Sequence, residues 1–294
     1  MNPTLAKYLK IFFAALAIYA LASAGIAWIS TSPYRPSAGS DNSRVGFATQ
    51  DVTIRASDGT VLRGWYSEVS DSAPVVAFFH GHSSTRQDCI PAARLLMLSG
   101  YSVLLMDMRA CGLSDGALQS MGSKESLDVI ASVKFLQEQK QFGSKRIGIV
   151  AIGTGASATI LACDTVRELG CVALFAPDTS IEDACDYRFR QLSGLGVKGP
   201  GFLYLEFLQM RIGANPAAVR PVDMIAKLAP CPVYIFGAAN DLQAPPESIQ
   251  TMYKRAIEPK ELYIAPNATR EFLVDVNNLD LRKKLVDFFD TYLH

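Results

Sequence analysis

Lys145-Arg146-Ile147-Gly148-Ile149-Val150-Ala151-Ile152-Gly153-Thr154-Gly155-Ala156-Ser157 is the stretch that decides how this 294-residue chain is read. Ile147 to Ala151 is a short apolar run, mostly β-branched, and reads as a strand buried on both faces. The small residues after Gly155 suit a helix that packs close to a sheet. Strand, sharp turn and helix is the context in which a G-x-S-x-G turn presents a serine. Laid on this chain, that pattern falls on Ala151-Ile152-Gly153-Thr154-Gly155, and the serine position holds glycine.

Working outward, the composition is that of one large α/β domain: 49% of residues are hydrophobic, enough to bury a sizeable core. With 28 basic against 28 acidic residues and no basic stripe, nucleic-acid binding has no support. The six cysteines form no C-x-x-C pair and no zinc spacing. Several sit in apolar runs and read as buried free thiols, although an even count leaves disulfides in an oxidising compartment open. No G-K-[ST] loop and no H-E-x-x-H occurs, so neither a nucleotide nor a metal cofactor is expected.

Ile11 to Ile29 is an uncharged apolar run of 19 residues, long enough to span a bilayer as a helix. Lys7 and Lys10 precede it, which places the N-terminus in the cytoplasm and the domain outside. A signal peptide cleaved at Ala20-Leu21-Ala22 or Ala22-Ser23-Ala24, releasing a secreted protein, is the rival reading. The run continues past both sites to Trp28 and Ile29, which favours a retained anchor. Residues 1–30 are therefore the anchor or signal segment, 31–44 a polar linker, and 45–294 the folded domain.

Within that domain, two extended runs flank Ser57-Asp58-Gly59-Thr60 between Phe47 and Glu68, a hairpin signal. Strands follow at Pro74–Phe79, Tyr101–Met106, Ile147–Ala151, Cys171–Phe175, Pro232–Phe236 and Glu261–Ala265. Helical runs near 88–98 and 124–139 alternate with them, and Arg282–Leu293 closes the chain as an amphipathic helix. Strands alternating with helices imply a mostly parallel sheet with helices on both faces. Residues 178–228 break the alternation with a Gly-rich middle and an apolar helical piece at Phe202–Ile212. This insertion is placed as a small cap over the C-terminal edge of the sheet, where ligands bind in such folds.

These features together resemble the α/β-hydrolase superfamily, and within it the membrane-anchored serine hydrolases of the Bem46-like and serine-aminopeptidase-like group. The resemblance covers about Val45 to His294. It rests on the strand into His80-Gly81 and on Asp107-x-Arg109-x-x-Gly112-x-Ser114-x-Gly116. The elbow stretch and Val219-Arg220-Pro221-Val222-Asp223 before Cys231-Pro232-Val233 complete it.

The resemblance implies a serine, acid and histidine in that chain order, with backbone N–H groups stabilising the oxyanion. Carried over position by position, the nucleophile falls on Gly153, which has no hydroxyl. The acid falls on Asp241, or on Asn240 if the loop is one residue longer than usual. The histidine falls on Arg270 in Pro266-Asn267-Ala268-Thr269-Arg270-Glu271. Arginine stays protonated and cannot act as a general base. His294 ends the chain and is a poor substitute. Arg270 is expected either to form a salt bridge with Asp241 or to be a solvated surface residue. His80 reads as a structural histidine fixing its loop, and His82 as a pocket wall or an exposed loop residue. The N–H groups of His82 and Thr154 are expected to face the site with the Thr154 side chain pointing elsewhere, whereas the Ser157 hydroxyl is expected to contact backbone or to pack.

Losing the serine or the histidine alone costs on the order of 10⁶ in turnover in a serine hydrolase, so once one is gone little protects the other. Two vacated positions point to a membrane-tethered pseudo-hydrolase binding an acyl or peptide-like ligand or a protein partner. The alternatives are an esterase, lipase or peptidase with rearranged catalytic groups, or a structural domain with a filled pocket.

Overall fold

The computed structural model describes residues 3–36, 45–166, 169–197, 199, 201–270 and 278–293. In chain order, helix α1 (Pro3–Thr31) precedes strands β1 (Gln50–Arg55), β2 (Val61–Ser67) and β3 (Val75–Phe79). Helix α2 (Ile90–Leu98), β4 (Ser102–Asp107), α3 (Glu125–Glu138), β5 (Ile147–Ile152), α4 (Thr154–Leu161) and β6 (Cys171–Phe175) follow. Then come α5 (Ile181–Ser193), α6 (Phe202–Ile212), α7 (Pro221–Met224), β7 (Val233–Ala238), α8 (Pro246–Arg255), β8 (Lys260–Ala265) and α9 (Leu279–Tyr292).

Every residue of β3, β4 and β6 is buried, as their unbroken apolar runs require of strands covered on both faces. The eight strands form one sheet in the order β1-β2-β4-β3-β5-β6-β7-β8. β1 pairs antiparallel with β2, and β2 antiparallel with β4, whereas the remaining pairs are parallel. Ser57-Asp58-Gly59-Thr60 is the turn of the edge hairpin. β5 lies in the middle of the sheet, with Ile149 beside Ala77 on one side and Val172 on the other. Its C-terminal end, where the elbow stretch turns, therefore opens at the sheet's central edge. All six cysteines are buried free thiols.

α5, α6 and α7 form the cap between β6 and β7. Sequence patterning showed only α6. α5 carries few apolar residues, but its ends are marked. Ser180 caps it by accepting the Asp183 N–H at 3.0 Å, and Gly194 closes it with a φ of 73°.

α1 is long and apolar enough to cross a membrane, and it exceeds the 19-residue run at both ends. Its first turns expose Leu5, Ile11, Phe12, Phe13 and Ile18. Its last turns belong to the fold: Ser23, Ala27, Ser30 and Thr31 are buried, and the helix packs along α6. Arg211 of α6 donates to Thr31 Oγ1 at 2.5 Å and stacks 3.7 Å over the Trp28 ring. The next residues, expected as free linker, are also bound. Gln119 donates from its backbone to Thr31 O and from its side chain to Ser32 O, and the Arg35 guanidinium donates to the carbonyls of Gly112, Ser114 and Gly116. The rest of that linker and His294 lie outside the described residues.

Candidate active site

The elbow has kept its geometry. Gly153 turns from β5 into α4 with φ 52° and ψ −114°, a conformation that strains any residue with a Cβ. Gly155, two residues on, is a contact glycine: a Cβ there would lie 2.5 Å from Phe79 O and 2.7 Å from His80 O. α4 thus presses directly on the end of β3. The helix begins at Thr154, which lines the cleft, and a helix N-terminus is suited to negative charge.

Beside the elbow, a polar network holds the neighbouring loop. His80 Nε2 accepts the Met108 N–H at 3.0 Å, while Nδ1 lies 2.8 Å from Gly81 O, which fixes the tautomer with the proton on Nδ1. Burial pushes the pKa of this imidazole below its usual value, although Asp107 opposes the shift. Asp107 accepts the N–H groups of Arg86 and Leu113 and pairs with the Arg86 guanidinium at 3.1 Å. Arg109 reaches Asp128 through Nε at 2.9 Å and Nη2 at 2.7 Å, and Asp58 through Nη1 at 2.7 Å. The Asp107-to-Gly116 motif is thus a scaffold for the loops and not a reacting group.

The opposite wall carries the expected acid and histidine positions. Asp241, 4% exposed, accepts the N–H groups of Gln243 and Ala244 through Oδ1 at 2.8 and 3.0 Å, an Asx-type turn after β7. Asn240 is exposed and bonds through its backbone to Ala268. Arg270 Nε stands 3.0 Å from Asp241 Oδ2 as an ion pair, misaligned for a hydrogen bond. The other end of the same guanidinium, Nη1, lies 2.9 Å from where a Cβ on residue 153 would be. Arg270 therefore bridges acid and elbow, the gap that a triad histidine spans, but with a permanent charge in place of a transferable proton.

Asp178, just past β6, joins this wall and was not singled out from sequence, although a strand-end aspartate is the same signal that marked Asp241. Its Oδ1 accepts from Gln243 Nε2 at 3.0 Å. Burial raises its pKa to about 6 against the opposing pull of Arg270. The Asp178 N–H donates to Ser157 Oγ at 3.2 Å, so that hydroxyl is engaged with backbone.

Between the walls lies a cavity of about 560 Å³, lined by His82, Thr154, Arg188, Gln243 and Arg270 among others. Thr154, at the first turn of α4, is part of the cavity wall. His82 is neutral: burial first, then the nearby Arg188 charge, lowers its pKa to about 3. Among the described residues no cluster of His, Cys, Asp or Glu is arranged to hold a metal.

Comparison with known proteins places this arrangement. The family model for X-Pro dipeptidyl-peptidases (S15 family) matches residues 29–206, more than half of the chain. The uncharacterized protein YqkD of Bacillus subtilis is 26% identical over 243 residues, covering 81% of this chain and 78% of that one. A polyketide transferase of Stachybotrys chlorohalonatus is 23% identical over 74% of this chain and 88% of its own. Among solved structures, an esterase of Pyrococcus furiosus superposes with a TM-score of 0.73 at 23% identity, over 90% of this chain and 99% of that one. Fold, elbow and family model agree: the chain belongs to the X-Pro dipeptidyl-peptidase (S15) family, with the α/β-hydrolase fold.

Proposed function

We propose that this chain is a pseudo-hydrolase, held at a membrane by α1, whose cavity binds an acyl or peptide-like ligand without turning it over. The observation that carries this reading is the Arg270 guanidinium, placed between Asp241 and the vacant nucleophile position at Gly153. Acyl transfer needs a nucleophile and a group that takes its proton. Gly153 offers no hydroxyl, and the arginine holds its proton at any working pH. The Ser157 hydroxyl already accepts from the Asp178 N–H, and no base among the described residues is seen bonded to it.

What remains is recognition. The N–H groups of His82 and Thr154, at the mouth of a cavity, are suited to a carbonyl oxygen. The kinds of carbonyl compound in question follow from the relatives' names, an esterase and X-Pro dipeptidyl-peptidases. The cavity argues against a filled, purely structural domain. Lys7 and Lys10, in the first turns of α1 ahead of its apolar run, favour a cytoplasmic N-terminus with the domain outside. Cleavage at either A-x-A site would cut a continuous helix close to buried Ser23, which supports a retained anchor over secretion.

The rival is a hydrolase using other groups, and the Asp178 carboxyl, raised to about 6, is the group that could serve it as base. The test is the whole chain in lipid nanodiscs, assayed with short-chain p-nitrophenyl esters and a fluorophosphonate probe. The expected result is turnover at the blank rate and no label. Turnover with a labelled residue would overturn the proposal and name the nucleophile.

A further inference from the structure

The cavity holds two guanidinium groups with unlike surroundings. Arg270 has Asp241 at 3.0 Å and feels Asp178 as well. Arg188, on α5, has no carboxylate within 4.0 Å among the described residues; its Nη2 donates to Ser83 Oγ at 3.2 Å, and its Nε is buried without a partner. Two groups close enough to feel its charge, His82 and Tyr204, bring no negative charge. His82 is neutral, and Tyr204, whose pKa burial raises, keeps its phenol proton. A buried guanidinium N–H left without a partner is costly to hold, and an anion at the fork relieves that cost.

We propose that Arg188 is the ligand-reading residue of this cavity and that the ligand carries a carboxylate. The proposal rests on the reading of the cavity as a ligand site. A carboxylate meets the planar fork of Arg188, and the Ser83 hydroxyl, whose oxygen already accepts from Arg188, has its proton free to donate. A monoanion fits better than a dianion. Only one of the two cations lacks a carboxylate partner among the described residues, Asp88 already lines the cavity, and Asp178 and Asp241 act on Arg270 at its edge. Arg188 positions the ligand and takes no part in bond making.

The experiment is ligand-observed NMR titration of the whole chain in nanodiscs with phenylacetate, phenylacetamide and phenyl phosphate. Phenylacetate is expected to bind on the order of 10- to 100-fold tighter than the amide, the worth of one charge-assisted contact. Arg188→Gln should bring it to the level of the amide, Arg188→Lys should restore part of the difference, and Arg190→Gln, an exposed neighbour on the same helix, should change nothing. Should Arg188→Gln fail to fold, Arg188→Lys and Ser83→Ala carry the test, each expected to weaken phenylacetate while leaving the amide unchanged. The proposal is overturned if phenylacetate and phenylacetamide bind alike, if phenylacetate does not bind, if phenyl phosphate binds tighter, or if Arg270→Gln removes the preference while Arg188→Gln keeps it. Ester turnover by the natural chain would defeat the pseudo-hydrolase reading without touching this result, because the titration reads affinity alone.

Discussion

The two walls of the cleft treat their polar groups differently. On the His80–Asp107 wall, both imidazole nitrogens, both Asp107 oxygens and the guanidinium of Arg109 have partners. On the other wall and under the cap, Asp178 Oδ2, Asp241 Oδ2, Arg270 Nη2, Arg188 Nε and both nitrogens of His82 are buried without hydrogen-bond partners. Arg86 is the exception on the first wall, and it is held by Asp107 and by the Trp65 ring 4.0 Å away. Buried polar groups that serve the fold are satisfied, because leaving them unmade is destabilising. Of those left over, His82, Arg188 and Arg270 line the cavity, where a ligand can satisfy them. The first wall is scaffold, and the second carries the unpartnered groups on which the proposed binding role rests.

Arginine replacement gives the largest effect that can break this contrast. Arg109→Gln leaves Asp128 buried and unpaired, and chemical unfolding should show a loss of about 3–5 kcal/mol. Arg270→Gln removes a misaligned pair at the cavity edge, and the same measurement should show about 1 kcal/mol. Equal losses would erase the distinction between the walls.

Glycine replacement sharpens it. Gly155→Ala drives a Cβ into the backbone carbonyls of Phe79 and His80, which cannot give way, and about 3 kcal/mol should be lost. At Gly153 an added Cβ meets only the mobile end of Arg270, so Gly153→Ser carries mainly its positive φ, about 1 kcal/mol. A Gly153→Ser protein less stable than Gly155→Ala would mean that the elbow is no longer shaped for a side chain.

The fold was legible because its signals are local and repeated. Continuous apolar runs such as Val75–Phe79 and Cys171–Phe175 admit little other than buried strands, and their alternation with helices fixes a parallel sheet. Gly153 and Arg270 stood out because a known spacing says what should be there. Asp178 carries the same strand-end signal as Asp241 and was passed over, whereas Arg188 was not legible. Arg188 depends on α5, a polar helix whose position over the sheet is set by tertiary packing, and its significance lies in the lack of a counter-charge, which no spacing encodes. The contacts of residues 31–36, read as part of a polar linker, were hidden for a related reason. Their Pro and Ser content is that of a loop, but their backbone groups and Arg35 are used by the 110–119 segment across the fold.

The most direct test of the account returns the two missing groups together. Gly153→Ser supplies the hydroxyl, and Arg270→His removes the guanidinium that crowds it and sets an imidazole near Asp241. Turnover of short-chain p-nitrophenyl esters by this double variant is expected to exceed that of the natural chain by on the order of 100-fold or more, a small part of the roughly 10⁶ that a complete triad contributes. Fluorophosphonate should label residue 153. A folded double variant as silent as the natural chain, neither turning over ester nor taking label, would contradict the claim that the hydrolase frame has survived the loss of its chemistry.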